Sequence, residues 1–225
     1  MTLLQRWRGG LIVSVQAAAG SPLDEPVVLA ALASAAEQGG AVGLRMAGVE
    51  NIVAARRRTK LPMIGLIKRR VEGFEPYITP ALADVAALLA VGVEVIAVDA
   101  TARARPDGSS VAQIIAAICA GGALAMADCA RAEDGLCAYA AGAQILATTL
   151  CGYTPGTQGT ALPAYGLLAE LRELETFLIC EGGLHAPQDV RRAMAAHADA
   201  VVVGTALTDI SWRVREFAAA AAATI

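Results

Sequence analysis

Eight short, almost continuously apolar runs recur along this chain of 225 residues, at 11–15, 41–44, 62–67, 93–98, 123–127, 143–148, 176–180 and 200–203. Between them lie longer segments, at 27–38, 81–90, 111–120, 132–141, 167–175 and 190–196, whose apolar residues repeat every three or four positions and predict helices. The runs begin about 27 residues apart, close to the roughly 30 of a strand–helix–strand unit. A strand with no alternation is one covered on both faces, which is the condition of a parallel sheet. Eight such units, closed by a helix expected over 209–223, predict an α/β fold of one specific kind: a single (β/α)8 TIM barrel domain spanning residues 1–225. The competing doubly wound open sheet is announced by a Gly-x-Gly-x-x-Gly turn after its first strand. The residues after Val15 are Gln16-Ala-Ala-Ala-Gly20-Ser-Pro22, which do not fit it.

Composition narrows the partners. The chain is 56% hydrophobic and 17% charged with a formal net charge of −3, and its 22 glycines and 9 prolines are near the ordinary level, so disordered and collagen-like classes are excluded. No basic block exceeds Arg56-Arg57-Arg58 and Lys68-Arg69-Arg70, which argues against nucleic acid and against a membrane surface and leaves small molecules as the expected partners. The five cysteines are odd in number, lack a Cys-x-x-Cys pair and lie in apolar surroundings, so buried thiols in a reducing compartment are expected. His185 and His197 have no ligand spacing, and no metal site is expected. The N-terminus has no apolar segment after its charges, and the 14-residue apolar stretch 114–127 is shorter than the roughly 18 to 20 needed to span a bilayer, so a cytoplasmic location is the default expectation.

Barrel chemistry gathers at the C-terminal ends of the strands, so the polar residue closing each run is where function is sought. The runs close in order on Ser14-Val-Gln16, Arg45, Lys68, Asp99-Ala-Thr101, Asp128, Thr148-Thr149, Glu181-Gly182-Gly183 and Gly204-Thr205. Helix caps account for a share of these positions. They do not account for Arg45, Lys68 and Glu181. Lys68 is one of only two lysines beside sixteen arginines. At an apolar barrel mouth, with Arg45 as a like-charged neighbour, its pKa is expected to fall, making it a general base or a Schiff-base nucleophile. A lysine snorkelling from a strand terminus is the plainer reading of the same position. The glycine-rich loops after the last two runs fit the place where barrels hold phosphate with backbone N–H groups, which implies a phosphorylated substrate. The tract Asp99-Ala-Thr101-Ala-Arg103-Ala-Arg105-Pro-Asp107 offers an acid, a hydroxyl and two arginines to sugar hydroxyls or anions. The loop 151–159 has the length and glycine content of a lid, or of an inert surface loop. No role is assigned to His185 or His197.

In order along the chain stand Gly9-Gly-Leu-Ile-Val-Ser-Val-Gln16, Ala36-Glu-Gln-Gly-Gly-Ala-Val-Gly-Leu-Arg45, Pro62-Met-Ile-Gly-Leu-Ile-Lys68, Tyr77-Ile-Thr-Pro80, Asp99-Ala-Thr-x-Arg-x-Arg-Pro-Asp-Gly108, Met126-Ala-Asp128, Thr148-Thr-Leu-x-Gly-Tyr-Thr154 and Val202-Val-Gly-Thr-Ala206. Together these motifs resemble the N-acylglucosamine-6-phosphate 2-epimerase family, also called N-acetylmannosamine-6-phosphate 2-epimerase, nearly end to end. The resemblance implies a TIM barrel of sialic-acid catabolism that interconverts N-acetylmannosamine 6-phosphate and N-acetylglucosamine 6-phosphate without a cofactor. It makes Lys68 the residue that exchanges the C2 proton and Glu181 its catalytic partner. Gln16, Arg45 and Asp128 would hold the sugar, Tyr153 joins the substrate-binding set, and Gly182, Gly183, Gly204 and Thr205 would bind the phosphate. One departure stands out: the family usually has Glu-Gly-Arg where this chain has Glu181-Gly182-Gly183, which removes a cation from the expected phosphate site. A Schiff-base sugar-phosphate aldolase and a non-catalytic sugar-phosphate-binding barrel stay open as alternatives, and a homodimer is among the assemblies left open.

Overall fold

The computed structural model describes residues 1–222. Eight strands, β1 (Leu11–Val15), β2 (Gly43–Ala47), β3 (Met63–Leu66), β4 (Val95–Asp99), β5 (Leu124–Asp128), β6 (Ile145–Ala147), β7 (Phe177–Glu181) and β8 (Ala200–Val203), pair in parallel in sequence order. The barrel closes where Leu11, Ile12 and Val13 of β1 pair with Val201, Val202 and Val203 of β8. The helices are α1 (Leu3–Trp7), α2 (Pro26–Gln38), α3 (Val49–Arg56), α4 (Leu82–Ala90), α5 (Val111–Ala120), α6 (Ala132–Ala140), α7 (Tyr165–Leu171), α8 (Pro187–Ala195), α9 (Thr205–Thr208) and α10 (Ile210–Ala222). The (β/α)8 expectation therefore holds, and the end expected for the last helix, Ala223, lies outside the described residues.

Two apolar layers sit on either side of the sheet. Ile12, Ile64, Val95, Met126, Ile145, Phe177 and Val202 fill the barrel interior, while Val13, Leu44, Ile96, Leu146 and Val201 pack outward against helical residues such as Leu88, Ile114 and Leu168. Neighbouring residues of one strand thus serve opposite layers, as the pleat requires. Trp7, delivered by α1, plugs the N-terminal end of the interior, fully buried and donating Nε1–H to the Val42 carbonyl at 2.9 Å. The indole lies so close to Gly43 that a Cβ there would come within 2.8 Å of it, so glycine is required at that position. Beside this plug, Asp199 accepts from Leu178 N–H (2.8 Å), from Arg172 (2.9 Å) and from Arg8, tying β7, β8 and the α1–β1 connection together.

Several boundaries differ from the sequence reading for identifiable reasons. Arg45 does not close β2; the strand continues to Ala47, with Arg45 in register between Ser14 and Ile64 and its side chain turned into the barrel. A charge inside a strand reads as an end until its partner is known. Helix α7 stops at Leu171 because Arg172 turns back to donate to the carbonyls of Leu174 and Thr176. Helix α8 starts earlier than expected, with Pro187 in its first turn and Asp189 accepting from the N–H groups of His185 and Ala186. Cys129, Cys151 and Cys180 are buried free thiols, but Cys119 is only half-buried and Cys137, on α6, is exposed, contrary to the expectation of burial for all five. Helix α10 buries none of its side chains. No described helix is long and apolar enough to cross a membrane.

Candidate active site

At the C-terminal end of the barrel a cavity of about 360 Å³ gathers Gln16, Arg45, Lys68, Tyr153, Glu181, Gly182, Gly183, Gly204 and Thr205, nine residues singled out from six separate stretches of sequence only by their strand ends and motifs. Asp128, the tenth, does not open onto it. Its fully buried carboxylate lies behind Arg45, which donates Nη1–H to Oδ1 (3.1 Å) and Nη2–H to Oδ2 (2.7 Å) in a two-point fork. Asp128 is thus an anchor for Arg45 in this structure, and the cavity sees it only through that arginine.

Arg45 Nη1 also lies 3.2 Å from Glu181 Oε2, and Thr149 Oγ1 stands 2.8 Å from Asp128 Oδ1 and 3.1 Å from Glu181 Oε2. Two carboxyl groups therefore meet one guanidinium and one hydroxyl, with Glu181 only 13% exposed. Burial and the neighbouring Asp128 charge push the Glu181 carboxyl up to about 7, against the opposing influence of Arg45, the Thr149 hydroxyl and Lys68. For Arg45 itself burial favours the neutral form, but Asp128 and Glu181 outweigh it and hold the guanidinium above its ordinary value. Lys68 reaches into the open cavity, where the surrounding walls strip enough water, and Arg45 adds enough repulsion, to lower its pKa. The direction expected from the sequence is met, with desolvation ahead of Arg45 as its cause.

Lys68 lies two residues past the end of β3 and is fixed by the segment that follows. It forms an antiparallel bridge with Ile78. Thr79 holds that segment in place from a left-handed conformation (φ 44°), rare for a β-branched residue, by donating Oγ1–H to the Ala97 carbonyl (2.6 Å) and N–H to the Ile67 carbonyl (2.7 Å). Tyr77 thereby joins the cavity wall beside Lys68, with Arg70 over its ring at 4.8 Å. Gln16 donates Nε2–H to Ser14 Oγ at 2.8 Å and keeps its Oε1 without a protein partner. Gly182 and Gly183 adopt φ of 102° and 72°, so their backbone forms a turn that side chains disfavour. A Cβ at 183 would also lie 2.5 Å from Leu162 Cβ, so the packing of the loop after β6 requires glycine there.

The tract after β4 does not serve this cavity. Asp99 accepts from Thr101 and from Arg103 Nη2 (2.7 Å), Arg103 also pairs with Glu75 (3.0 Å), and Arg105 donates to the Asp99 carbonyl. Arg105 keeps its buried Nε and Nη1 without a partner, and Thr101, Arg103 and Arg105 line a different hollow, so the tract does not supply sugar ligands to the barrel mouth. The loop 151–159 brings Tyr153 to the rim and is braced by the Thr154–Thr157 hydroxyl contact (2.7 Å) and by Arg131 donating to the Gly156 carbonyl (2.6 Å). Thr149, Tyr77 and His185 also line the cavity, although sequence reasoning gave them no part in it. Thr149 and Tyr77 already stood in strand-end and motif positions, whereas nothing in the chain marked His185, which stacks on Trp212 at 4.8 Å. Among the described residues no three His, Cys, Asp or Glu side chains converge as a metal set. Chemically, the mouth presents a lysine of lowered pKa and a carboxyl of raised pKa around a fixed positive charge, an arrangement suited to moving a proton on and off carbon.

A family model described as "Putative N-acetylmannosamine-6-phosphate epimerase" matches residues 29–223. The "Putative N-acetylmannosamine-6-phosphate 2-epimerase" of Synechococcus elongatus is 43% identical over 221 residues, covering 96% of this chain and 95% of that protein. The protein of the same description from Yersinia pestis is 44% identical over 208 residues, covering 92% and 88%. Among solved structures, the N-acetylmannosamine-6-phosphate 2-epimerase from Clostridium perfringens superposes with a TM-score of 0.94 at 39% identity, covering 97% of this chain and 96% of that one.

Proposed function

The chain belongs to the N-acetylmannosamine-6-phosphate epimerase family, and from that premise we propose that it interconverts N-acetylmannosamine 6-phosphate and N-acetylglucosamine 6-phosphate by proton transfer at C2, with Lys68 and Glu181 as the two transferring groups. One observation carries the assignment of these residues. Lys68 follows β3 and Glu181 ends β7, four strands apart in a closed ring of eight, so they stand on opposite sides of the barrel axis. A substrate carbon held on that axis has one group on each of its faces. Inversion at a carbon centre needs that arrangement.

In the open-chain sugar, C2 is α to the C1 aldehyde and its hydrogen is removable. Neutral Lys68 takes that proton, the electron pair moves toward O1 as an enolate, and protonated Glu181 delivers a proton to the other face of C2. Lys68 ends as the ammonium and Glu181 as the carboxylate, and the opposite direction starts from that pair. Arg45, held by Asp128 and already aligned, places positive charge where the oxyanion develops, so little reorganisation is needed at the moment of reaction. The free Oε1 of Gln16 offers an acceptor to a sugar hydroxyl or to the acetamido N–H. The backbone turns of Gly182, Gly183, Gly204 and Thr205 lie on the β7–β8 side, where barrels commonly hold phosphate, and binding energy gained there holds C2 in place. With no side chain at 183, backbone N–H groups carry that contact.

Proton NMR of the protein with N-acetylmannosamine 6-phosphate in D2O tests the reading. The expected result is N-acetylglucosamine 6-phosphate with deuterium at C2. Absence of both conversion and exchange would overturn it. Borohydride added during turnover is expected to leave Lys68 unmodified, and a trapped sugar adduct there would instead support the aldolase.

A further inference from the structure

Thr149 Oγ1 contacts two carboxyl oxygens, Asp128 Oδ1 at 2.8 Å and Glu181 Oε2 at 3.1 Å, yet a hydroxyl has a single proton to donate. With both carboxyls ionised, one of the two contacts would set lone pairs against lone pairs. If Glu181 carries a proton on Oε2, both contacts become hydrogen bonds, running from Glu181 to Thr149 and from Thr149 to Asp128. Asp128 is the poorer place for that proton, because the Arg45 fork engages both of its oxygens whereas Glu181 has one longer contact to the same guanidinium. We propose that Thr149 is a positioning residue for proton transfer at C2, its hydroxyl donating to Asp128 while Glu181 holds a proton and turning to donate to Glu181 once that proton has left.

The inference rests on the epimerase reading and adds a moving part to it. When the Glu181 Oε2–H bond breaks and the C2–H bond forms, the oxygen left behind is negatively charged in a site largely closed to water. Rotation about the Thr149 Cβ–Oγ1 bond supplies it with a hydrogen bond at once, while Asp128 keeps its two bonds from Arg45. No bond of Thr149 breaks, and the rotation runs backward in the reverse direction. The charged and titratable groups around Glu181 are Arg45 from β2, Lys68 after β3, Asp128 from β5, Tyr153 from the loop after β6 and Cys180 beside it. Thr148 hydrogen-bonds to the backbone N–H and carbonyl of Glu181; among the described groups that contact the Glu181 carboxyl, Thr149 is the uncharged one, and its proton can turn between two carboxyl oxygens.

Thr149→Val keeps the shape and removes the hydroxyl; Thr149→Ser keeps the hydroxyl. The valine variant is expected to lower kcat by about tenfold to a hundredfold with KM changed by less than about threefold, and the serine variant to restore kcat to within about threefold. The Thr149 hydroxyl favours the ionised form of Glu181, so its loss moves the acid limb of the pH–rate profile to higher pH. Conversion by Thr149→Val at the unaltered rate and pH profile overturns the inference, as does a serine variant as slow as the valine one. A titration that needs no turnover separates this from the reading it rests on. Carboxyl carbon NMR of substrate-free enzyme, with the Glu181 signal assigned through Glu181→Gln, is expected to show that signal titrating at higher pH in Thr149→Val. An unmoved titration overturns the contact, whereas a moved titration in an enzyme that performs no epimerisation overturns the epimerase reading and the catalytic half of this inference with it. Melting temperatures within a few degrees of the parent confirm that each variant is folded.

Discussion

Lys68 stands at the mouth of a barrel that otherwise uses arginine sixteen times and lysine once more, at Lys60. The choice follows from acid–base chemistry: a guanidinium stays charged at any working pH and cannot accept a proton, whereas a partly desolvated ammonium next to Arg45 can lose one. Lys68→Arg, which preserves the charge and most of the length, is therefore expected to lower kcat by about a thousandfold with the fold intact, measured by the D2O assay and circular dichroism. Glu181→Gln separates the two halves of the reaction. Lys68 still faces C2, so one of the two epimers is expected to exchange its C2 hydrogen with D2O without inverting, and inversion at the unaltered rate would contradict the role of Glu181. The Glu181 carboxyl is pushed up to about 7, and with Lys68 charged the loss of its proton leaves the pair with the one proton needed for transfer in either direction. The rate of conversion is expected to rise with pH through about 7, and the exchange that remains in Glu181→Gln is expected to lack that limb. The linkage has the opposite sign for stability. A carboxyl pushed up on folding from the ordinary 4.5 binds a proton in the native state where the unfolded chain does not. Its contribution is complete below pH 4.5 and is lost as pH rises to about 7, so the parent loses stability relative to Glu181→Gln across that window in denaturant titrations.

At the scale of elements, the strands were legible because burial on both faces leaves an apolar run that nothing else in the chain imitates. Helix α3 left no such mark. Its eight residues, Val49–Arg56, include Glu50, Asn51 and Arg56 and bury only Ile52 and Ala55, too short and too polar a segment to stand out, and it is entered through Gly48 at a positive φ that only the structure exhibits. Helix α1 is five residues long, below the length at which periodicity can be read, and announces itself only through the Thr2–Gln5 capping box. The site shows the same division. Residues that end strands were found because position alone selects them, whereas the burial of Asp128 behind Arg45, the internal pairing of the Asp99–Arg105 tract and the entry of Tyr77 depend on contacts between distant segments. Helix α1 illustrates what the illegible elements do. Its one buried side chain, Trp7, fills the lower end of the barrel interior opposite the active site. Trp7→Ala is expected to cost about 3–5 kcal/mol of stability, by loss of apolar burial and by opening a cavity, while kcat at temperatures where the variant is folded stays within about twofold of the parent. Chemical denaturation together with the D2O assay checks both halves.

Over the whole molecule the two ends of the barrel divide stability from chemistry. At the C-terminal end, groups are left in states that folding alone would disfavour: a buried Glu181 carboxyl pushed up to about 7, a Lys68 with lowered pKa, a Gln16 oxygen without a partner and Thr79 in a left-handed conformation. At the N-terminal end the equivalent polar groups are satisfied. Asp199, 6% exposed, accepts from a backbone N–H and from two arginines belonging to different connections, so it fastens the last strands to the first just where the ring must close. Arg8 is largely exposed and its share is screened by solvent, so the buried backbone bond and the Arg172 bond carry most of the effect. Asp199→Ala is therefore expected to destabilise by about 2–3 kcal/mol, the scale of losing charged hydrogen bonds and leaving Leu178 N–H unpaired. Because the site lies at the far end of strands that keep their register, kcat and KM should stay within about twofold of the parent. A variant that kept its stability but lost activity would mean that closure at the bottom of the barrel sets the geometry at the top, and that the two ends are not independent.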